Sequence, residues 1–196
     1  MIGERIDGYA PIADYGAVGD GRTVALVARD GTIDWLCLPD LDSPSVFGAL
    51  LDSERGGCFA LEPESLSQTV RRYLPGTNVL ETTFTTAAGV VRVTDAMTLP
   101  TAGLSPYREL ARKIEGLAGE VPVRWRVEPR FGYASAAAQI NHRAGIPTAT
   151  AGRDAIAVCS FGTGEATTSD AAIAGHFTAR AGSSSLLVLS AANRFG

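Results

Sequence analysis

The segment Gly31-Thr32-Ile33-Asp34-Trp35-Leu36-Cys37-Leu38-Pro39-Asp40-Leu41-Asp42-Ser43-Pro44-Ser45-Val46-Phe47 holds the densest set of structural signals in the chain. Before it, Thr23-Val24-Ala25-Leu26-Val27-Ala28 has strand composition, and Arg29-Asp30-Gly31 separates it from Thr32 to Leu38. An Asp-Gly pair between two such runs predicts a β-hairpin. On the return strand, simple alternation puts Ile33, Trp35 and Cys37 on one face, assigned to the core, and Asp34, Leu36 and Leu38 on the other. Pro39 cannot donate to a ladder, so the strand is expected to stop there. Ser43 then suits a helix N-cap, and Pro44 the first helical position. Val46, Phe47, Leu50 and Leu51 follow at helical spacing until Gly56-Gly57. The expectation is one short helix near 44–54.

Working outward, Val79 to Thr86 and Val90 to Met97 flank Ala87-Ala88-Gly89 and predict a second hairpin. Cys58 to Leu61, Ser67 to Leu74, Leu110 to Glu115, Ile156 to Phe161, Gly175 to Ala181 and Ser185 to Ser190 all have strand character. Val121 to Pro129 alternates most cleanly, with Val123, Trp125 and Val127 inward and Arg124, Arg126 and Glu128 outward. Three glycines between Tyr15 and Gly21 favour a turn, and residues 132–152 are small, polar and weakly patterned. The sum is an all-β chain, an antiparallel β-sandwich of two packed sheets with about ten to twelve strands. No βαβ rhythm and no internal repeat suggests another architecture. Residues 1–196 are expected to form a single domain.

Hydrophobic residues make up 45% of the chain and charged ones 19%, which suits a folded core. The net charge of -4, without a basic cluster, argues against nucleic acid and against an anionic membrane surface. No apolar run reaches the roughly 20 residues of a membrane span. Met1-Ile2-Gly3-Glu4-Arg5 has no apolar signal region, and Cys37, Cys58 and Cys159 are odd in number and scattered. The expectation is buried thiols in a reducing cytoplasm. His142 and His176 form no ligand spacing, so no metal and no cofactor is expected. The apolar Ser185–Ser190 run lies six residues from Gly196, which reads as a boundary inside a longer protein.

Several motifs carry a resemblance. They are Pro11-Ile12-Ala13-Asp14-Tyr15, Gly19-Asp20, Thr23 to Val27, Asp30 to Pro39, and Asp42-Ser43-Pro44-Ser45-Val46-Phe47. Further along come Arg71-Arg72-Tyr73-Leu74-Pro75-Gly76-Thr77-Asn78-Val79-Leu80-Glu81-Thr82, Val91 to Met97, Glu115 to Pro122, and Glu128-Pro129-Arg130-Phe131. Across residues 10–133 the chain resembles the N-terminal domain of bacterial trehalase-like and glucoamylase-like proteins of glycoside hydrolase family 15. The resemblance implies a β-sandwich followed by a helical α/α toroid that carries the active site. It therefore implies a non-catalytic front domain, with no catalytic residue in this chain and with the toroid as its partner. The implied parent reaction is hydrolysis of an α-glucosidic bond, in trehalose or an α-glucan, with inversion. One departure stands out: the family usually has an arginine and an aromatic residue before Asp-Ser-Pro, where this chain has Asp40 and Leu41.

Glycoside hydrolysis needs two carboxyl groups across the scissile bond. Asp34, Asp40 and Asp42 cluster beside Trp35, yet each has a simpler use. Asp42 can hold an Asx-type turn, Asp40 can sit in solvent, and Asp34 can pair with a basic neighbour. Trp35, Pro39, Asp40, Leu41, Asp42 and Ser43 are thus candidates for a pocket wall or domain interface, with plain local architecture as the alternative. Two rival functions are a free-standing carbohydrate-binding module, which needs exposed aromatics, and an interaction domain that self-associates. Arg71-Arg72, Arg124 and Arg126 are expected to be cross-strand partners of Glu81, Asp95 or Glu128.

Overall fold

A computed structural model describes residues 4–99 and 108–193; Met1 to Gly3 and Gly196, used above for targeting and boundary, lie outside them. The strands are β1 (Gly16–Gly19), β2 (Val24–Val27), β3 (Ile33–Cys37), β4 (Ser45–Phe47), β5 (Phe59–Pro63), β6 (Leu66–Tyr73), β7 (Leu80–Thr86) and β8 (Gly89–Met97). They continue with β9 (Arg108–Val127), β10 (Gln139–Arg143), β11 (Ile146–Ala151), β12 (Asp154–Phe161), β13 (Thr167–Thr168), β14 (Ile173–Arg180) and β15 (Ser184–Asn193). All pairings are antiparallel, and the result is a β-sandwich.

The long strand β9 belongs to both sheets. Its first half pairs with β8 and β15, and its second half with β5 and β14. One sheet therefore runs β6-β7-β8-β9-β15-β12-β11-β10, and the other β1-β2-β3-β5-β9-β14-β13 with β4 beside β3. The side-chain parity of β9 changes where it crosses. Leu110, Arg112 and Ile114 point inward before the crossing, and Val121, Val123, Trp125 and Val127 after it. The change occurs at a bulge, since Val90 faces Ala118 while Val91 faces Gly116, leaving Leu117 unmatched. Gly119 sits at φ +67°, and a Cβ there would lie 2.1 Å from the Ala88 carbonyl, so only glycine fits. The sequence presents this strand as two separate runs because the crossing residues break the alternation.

Trp125 is buried as expected. Its ring lies over Gly175, where an added Cβ would come within 2.6 Å of Cζ2, and Nε1 donates to the Thr163 carbonyl at 2.9 Å. Both expected hairpins form, β2–β3 and β7–β8. Arg72 pairs with Glu81 at 2.7 Å and Arg126 with Glu128 at 2.7 Å. Asp95 instead meets Arg112, and Arg71 donates to the carbonyls of Val27 and Asp14.

The short helix expected near 44–54 is absent. Ser45–Phe47 is β4, paired with β3 through Leu36↔Phe47 and Cys37↔Ser45, and residues 48–56 form turns closed by Gly48 N–H to Gly56 O at 2.8 Å. Ser45, Val46 and Phe47 are all buried in succession, which a strand flanked on both faces allows and an amphipathic helix does not. Leu51, which the helical stripe would have buried, is exposed. The helical turns in the described residues are a left-handed one at Phe131–Ala134 and a 3₁₀ turn at Ile12–Asp14. The fifteen strands among the described residues exceed the expected ten to twelve because β1, β4 and β13 are too short, or too glycine-rich, to show a period.

Candidate functional site

The departure from simple alternation in β3 builds the site. Leu26 pairs with Trp35 but Val27 pairs with Ile33, so Asp34 is an extra residue, a bulge. The bulge flips the parity beyond it. Ile33, Leu36 and Leu38 enter the core, while Trp35 and Cys37 take the opposite face. Trp35 is consequently half-buried and outside the core, which corrects the inward assignment made from alternation.

The bulge also re-aims the Asp34 carboxylate. It is fully buried; Oδ2 accepts the Tyr15 hydroxyl at 2.6 Å and meets Arg5 Nη2 at 3.0 Å. Arg5 is shared with Asp30 through Nε at 2.7 Å, and the Asp34 carbonyl accepts the Leu50 N–H at 3.1 Å. Asp34 Oδ1 has no hydrogen-bond partner among the described residues. Burial raises the Asp34 pKa, and the Tyr15 and Arg5 contacts pull it back only in part. Burial likewise raises the Tyr15 phenol, reinforced by its bond to Asp34. For Arg5, burial opposes the charge, but the two carboxylates outweigh it and hold the guanidinium firmly protonated.

On the outer face of β3, Trp35 meets Tyr133, with ring centroids 6.1 Å apart and planes at 44°. Tyr133 lies in the Phe131–Ala134 turn, whose residues Gly132, Tyr133 and Ala134 have φ of 59°, 60° and 62°. Its N–H donates to Ser45 Oγ at 3.0 Å. Tyr133 is 55% exposed.

The corner follows immediately. The Leu38–Pro39 bond is cis. The Cys37 carbonyl accepts the Thr23 hydroxyl, Leu41 N–H donates to the Arg22 carbonyl at 2.9 Å, and Arg22 pairs with Asp40 at 2.7 Å. Ser43 closes the turn backwards: its Oγ accepts the Asp40 N–H at 3.2 Å, and its own N–H donates to the Asp40 carbonyl at 3.0 Å. Ser43 therefore caps no helix. Asp42 is exposed, and Leu41 is 58% exposed. Leu38, Pro39 and Val46 line one tight crevice with Phe131, so the corner and the Tyr133 turn adjoin.

Comparison with known proteins gives a match to the family described as "Trehalase-like, N-terminal" over residues 5–189. The chain belongs to the trehalase-like N-terminal family. A trehalase of Mycolicibacterium smegmatis is 50% identical over 93 residues, covering 46% of this chain and 14% of that protein. A trehalase of Mycobacterium tuberculosis is 37% identical over 141 residues, covering 64% of this chain and 21% of that protein. A trehalase of Thermoplasma volcanium is 34% identical over 131 residues, covering 65% and 21%. The chain thus matches about a fifth or less of the length of these relatives. A crystal structure of a bacterial glucoamylase complexed with acarbose has the same fold, with a TM-score of 0.60 and 11% identity over 91% of this chain and 32% of that one.

Within this trehalase-like domain the structure brings Trp35 and the Pro39–Ser43 corner to one region and leaves Asp34 on its own network. The sequence pattern does not single out Tyr133 or Arg5. Tyr133 sits in a weakly patterned stretch, and the adjoining Gly132 was the available sign of unusual backbone. Among the described residues no group of three or more His, Cys, Asp or Glu has metal-binding geometry, and no helix is long and apolar enough to cross a membrane. A groove of about 590 Å³ lies elsewhere, on the outer face of β5, β9 and β14, where Glu62, Arg124, Arg126 and His176 project. It is distinct from the corner.

Proposed function

We propose that this chain is the non-catalytic N-terminal β-sandwich of a longer trehalase-like or glucoamylase-like hydrolase of glycoside hydrolase family 15. In this reading it packs on a helical α/α toroid and shapes one side of the toroid's pocket. The parent reaction is hydrolysis of an α-glucosidic bond, in trehalose or an α-glucan, with inversion. The observation that carries the reading is the proportion of the match. The family pattern spans nearly the whole sandwich, whereas the chain covers 14–21% of the trehalases named above. Most of each relative therefore lies outside this fold.

The local chemistry supports a supporting role. An inverting pair needs one raised acid and one free base about 6.5–9.5 Å apart, with room for water between them. Asp34 has the raised pKa but is enclosed by Tyr15 and Arg5, and Asp40 is tied to Arg22. The braced corner instead presents Leu41 and Asp42 outward on a turn fixed from both sides, which suits a wall. The three free cysteines suit a cytoplasmic setting.

The test is kinetic, in the full-length parent. Asp40→Ala and Leu41→Ala should change KM or kcat for trehalose or maltose if the corner walls the pocket. Wild-type constants in both would make the corner purely architectural.

A further inference from the structure

We propose that Trp35 and Tyr133 form a stacking platform for one glucose ring, so that this chain itself binds α-glucosides. The choice of ligand rests on the trehalase-like reading above; the platform rests on geometry.

The two rings stand outside the core on the outer face of β3, where the bulge at Asp34 has turned Trp35. With centroids 6.1 Å apart and planes inclined at 44°, they are in tilted contact, and Tyr133 keeps 55% of its surface open beside the half-buried Trp35. A pyranose ring presents C–H groups that carry partial positive charge, and these lie well on the negative face of an aromatic ring. A side chain with an apolar body and a polar tip also suits a ligand that is apolar on its faces and polar at its rim.

The backbone gives an independent reason to assign Tyr133 a task. It occupies the left-handed region at φ 60°, ψ 43°, between Gly132 and Ala134 in the same region. Side chains bearing a Cβ are disfavoured there, and residues held in this region concentrate at functional sites. If the turn were only a connection, glycine would serve at 133 as it does at 132. The surroundings instead hold the tyrosine in place. Phe131 is buried as an anchor, Ser45 Oγ accepts the Tyr133 N–H, and Ser135 N–H donates to the Gly132 carbonyl at 3.1 Å. The anchor Phe131 shares its crevice with Pro39, so the platform lies beside the corner proposed to wall the pocket.

The experiment is a titration of the 196-residue chain with trehalose and with maltose, followed by tryptophan fluorescence. The chain has two tryptophans, and Trp125 is buried, so a ligand-induced change reports on Trp35. A saturable change with a dissociation constant on the order of millimolar is expected, and none with sorbitol at equal concentration. The decisive variant is Tyr133→Gly, because glycine accepts the left-handed backbone and the fold is retained. It should weaken binding by about tenfold or more, with an unchanged or higher thermal midpoint, while Tyr133→Phe should bind as wild type. No saturable change with either sugar overturns the proposal. So does wild-type affinity in Tyr133→Gly, or a wild-type dimer that buries this face. None of these results touches the role of the corner, which Asp40→Ala and Leu41→Ala read separately.

Discussion

Arg112 Nε donates a 2.8 Å hydrogen bond to Asp95 Oδ1 at a place in the core where neither side chain meets solvent. The same guanidinium donates to the carbonyls of Phe59 and Gly31 and lies 4.8 Å over the Phe59 ring. Asp95 and this half of β9 belong to one sheet, and Phe59 to the other, so one side chain ties the two sheets together. Removing it strands a buried carboxylate. Arg112→Met is expected to cost about 3–5 kcal/mol in urea unfolding, and Arg112→Met with Asp95→Leu to recover much of that.

The two tryptophans should behave differently. Trp125 fills the core against Gly175, and Trp125→Ala should cost about 3–5 kcal/mol. Trp35 is half-buried on the outer face, so iodide should quench one class of indole and leave the other protected. Two protected classes would contradict the parity change at Asp34.

That parity change marks the limit of what the sequence shows. The hairpins, the inward face of Val123, Trp125 and Val127, and the Arg72–Glu81 pair follow from local alternation and turn chemistry, which the chain states directly. A bulge inserts one residue without a compositional mark, so simple alternation puts Trp35 on the wrong face. The run at 44–54 failed for a different reason. Ser43-Pro44 is a good helix start, but pairing with β3 and burial of Ser45, Val46 and Phe47 together overrode it. Pro39 ends the strand and Ser43 closes a turn onto Asp40 instead of capping a helix, while Tyr133, far away in sequence, meets Trp35 through tertiary packing alone.

The buried carboxylate gives a pH dependence with a definite sign. Burial raises the Asp34 pKa above its unfolded value of 3.8, so the folded state holds this proton more tightly. The stabilisation is fully present below pH 3.8 and is lost as pH rises through the raised folded value. Asp34→Asn removes the titration. Relative to that variant, wild type should lose stability as pH climbs from 3.8 toward neutrality, measured as urea midpoints of both proteins across that range. Parallel midpoints would mean that Asp34 titrates normally.

Cys58 supplies the alkaline counterpart. Burial, with Glu128 and Asp34 adding to it, pushes the thiol up to about 12 from 9.0. The unfolded chain loses this proton first, so stability should decline from pH 9 upward, and Cys58→Ala should lessen the decline. At pH 8 the thiol should react slowly with iodoacetamide in the native protein.

At the corner, Ser43 Oγ satisfies the Asp40 N–H and Arg22 holds the Asp40 carboxylate. Ser43→Ala should cost about 0.5–1.5 kcal/mol through that hydrogen bond. Arg22→Ala should cost less, about 0.2–1 kcal/mol, because the pair is solvated. Equal and larger losses in thermal unfolding would point to a more buried corner than the one observed.

The central claim, that this domain supports catalysis and does not perform it, is tested most directly by glucose release. The purified 196-residue chain is incubated with trehalose and with maltose, and free glucose is measured by a coupled assay against a chain-free control. The account predicts no release above the control. Release that disappears in Asp34→Asn, Asp40→Asn or Asp42→Asn would contradict it.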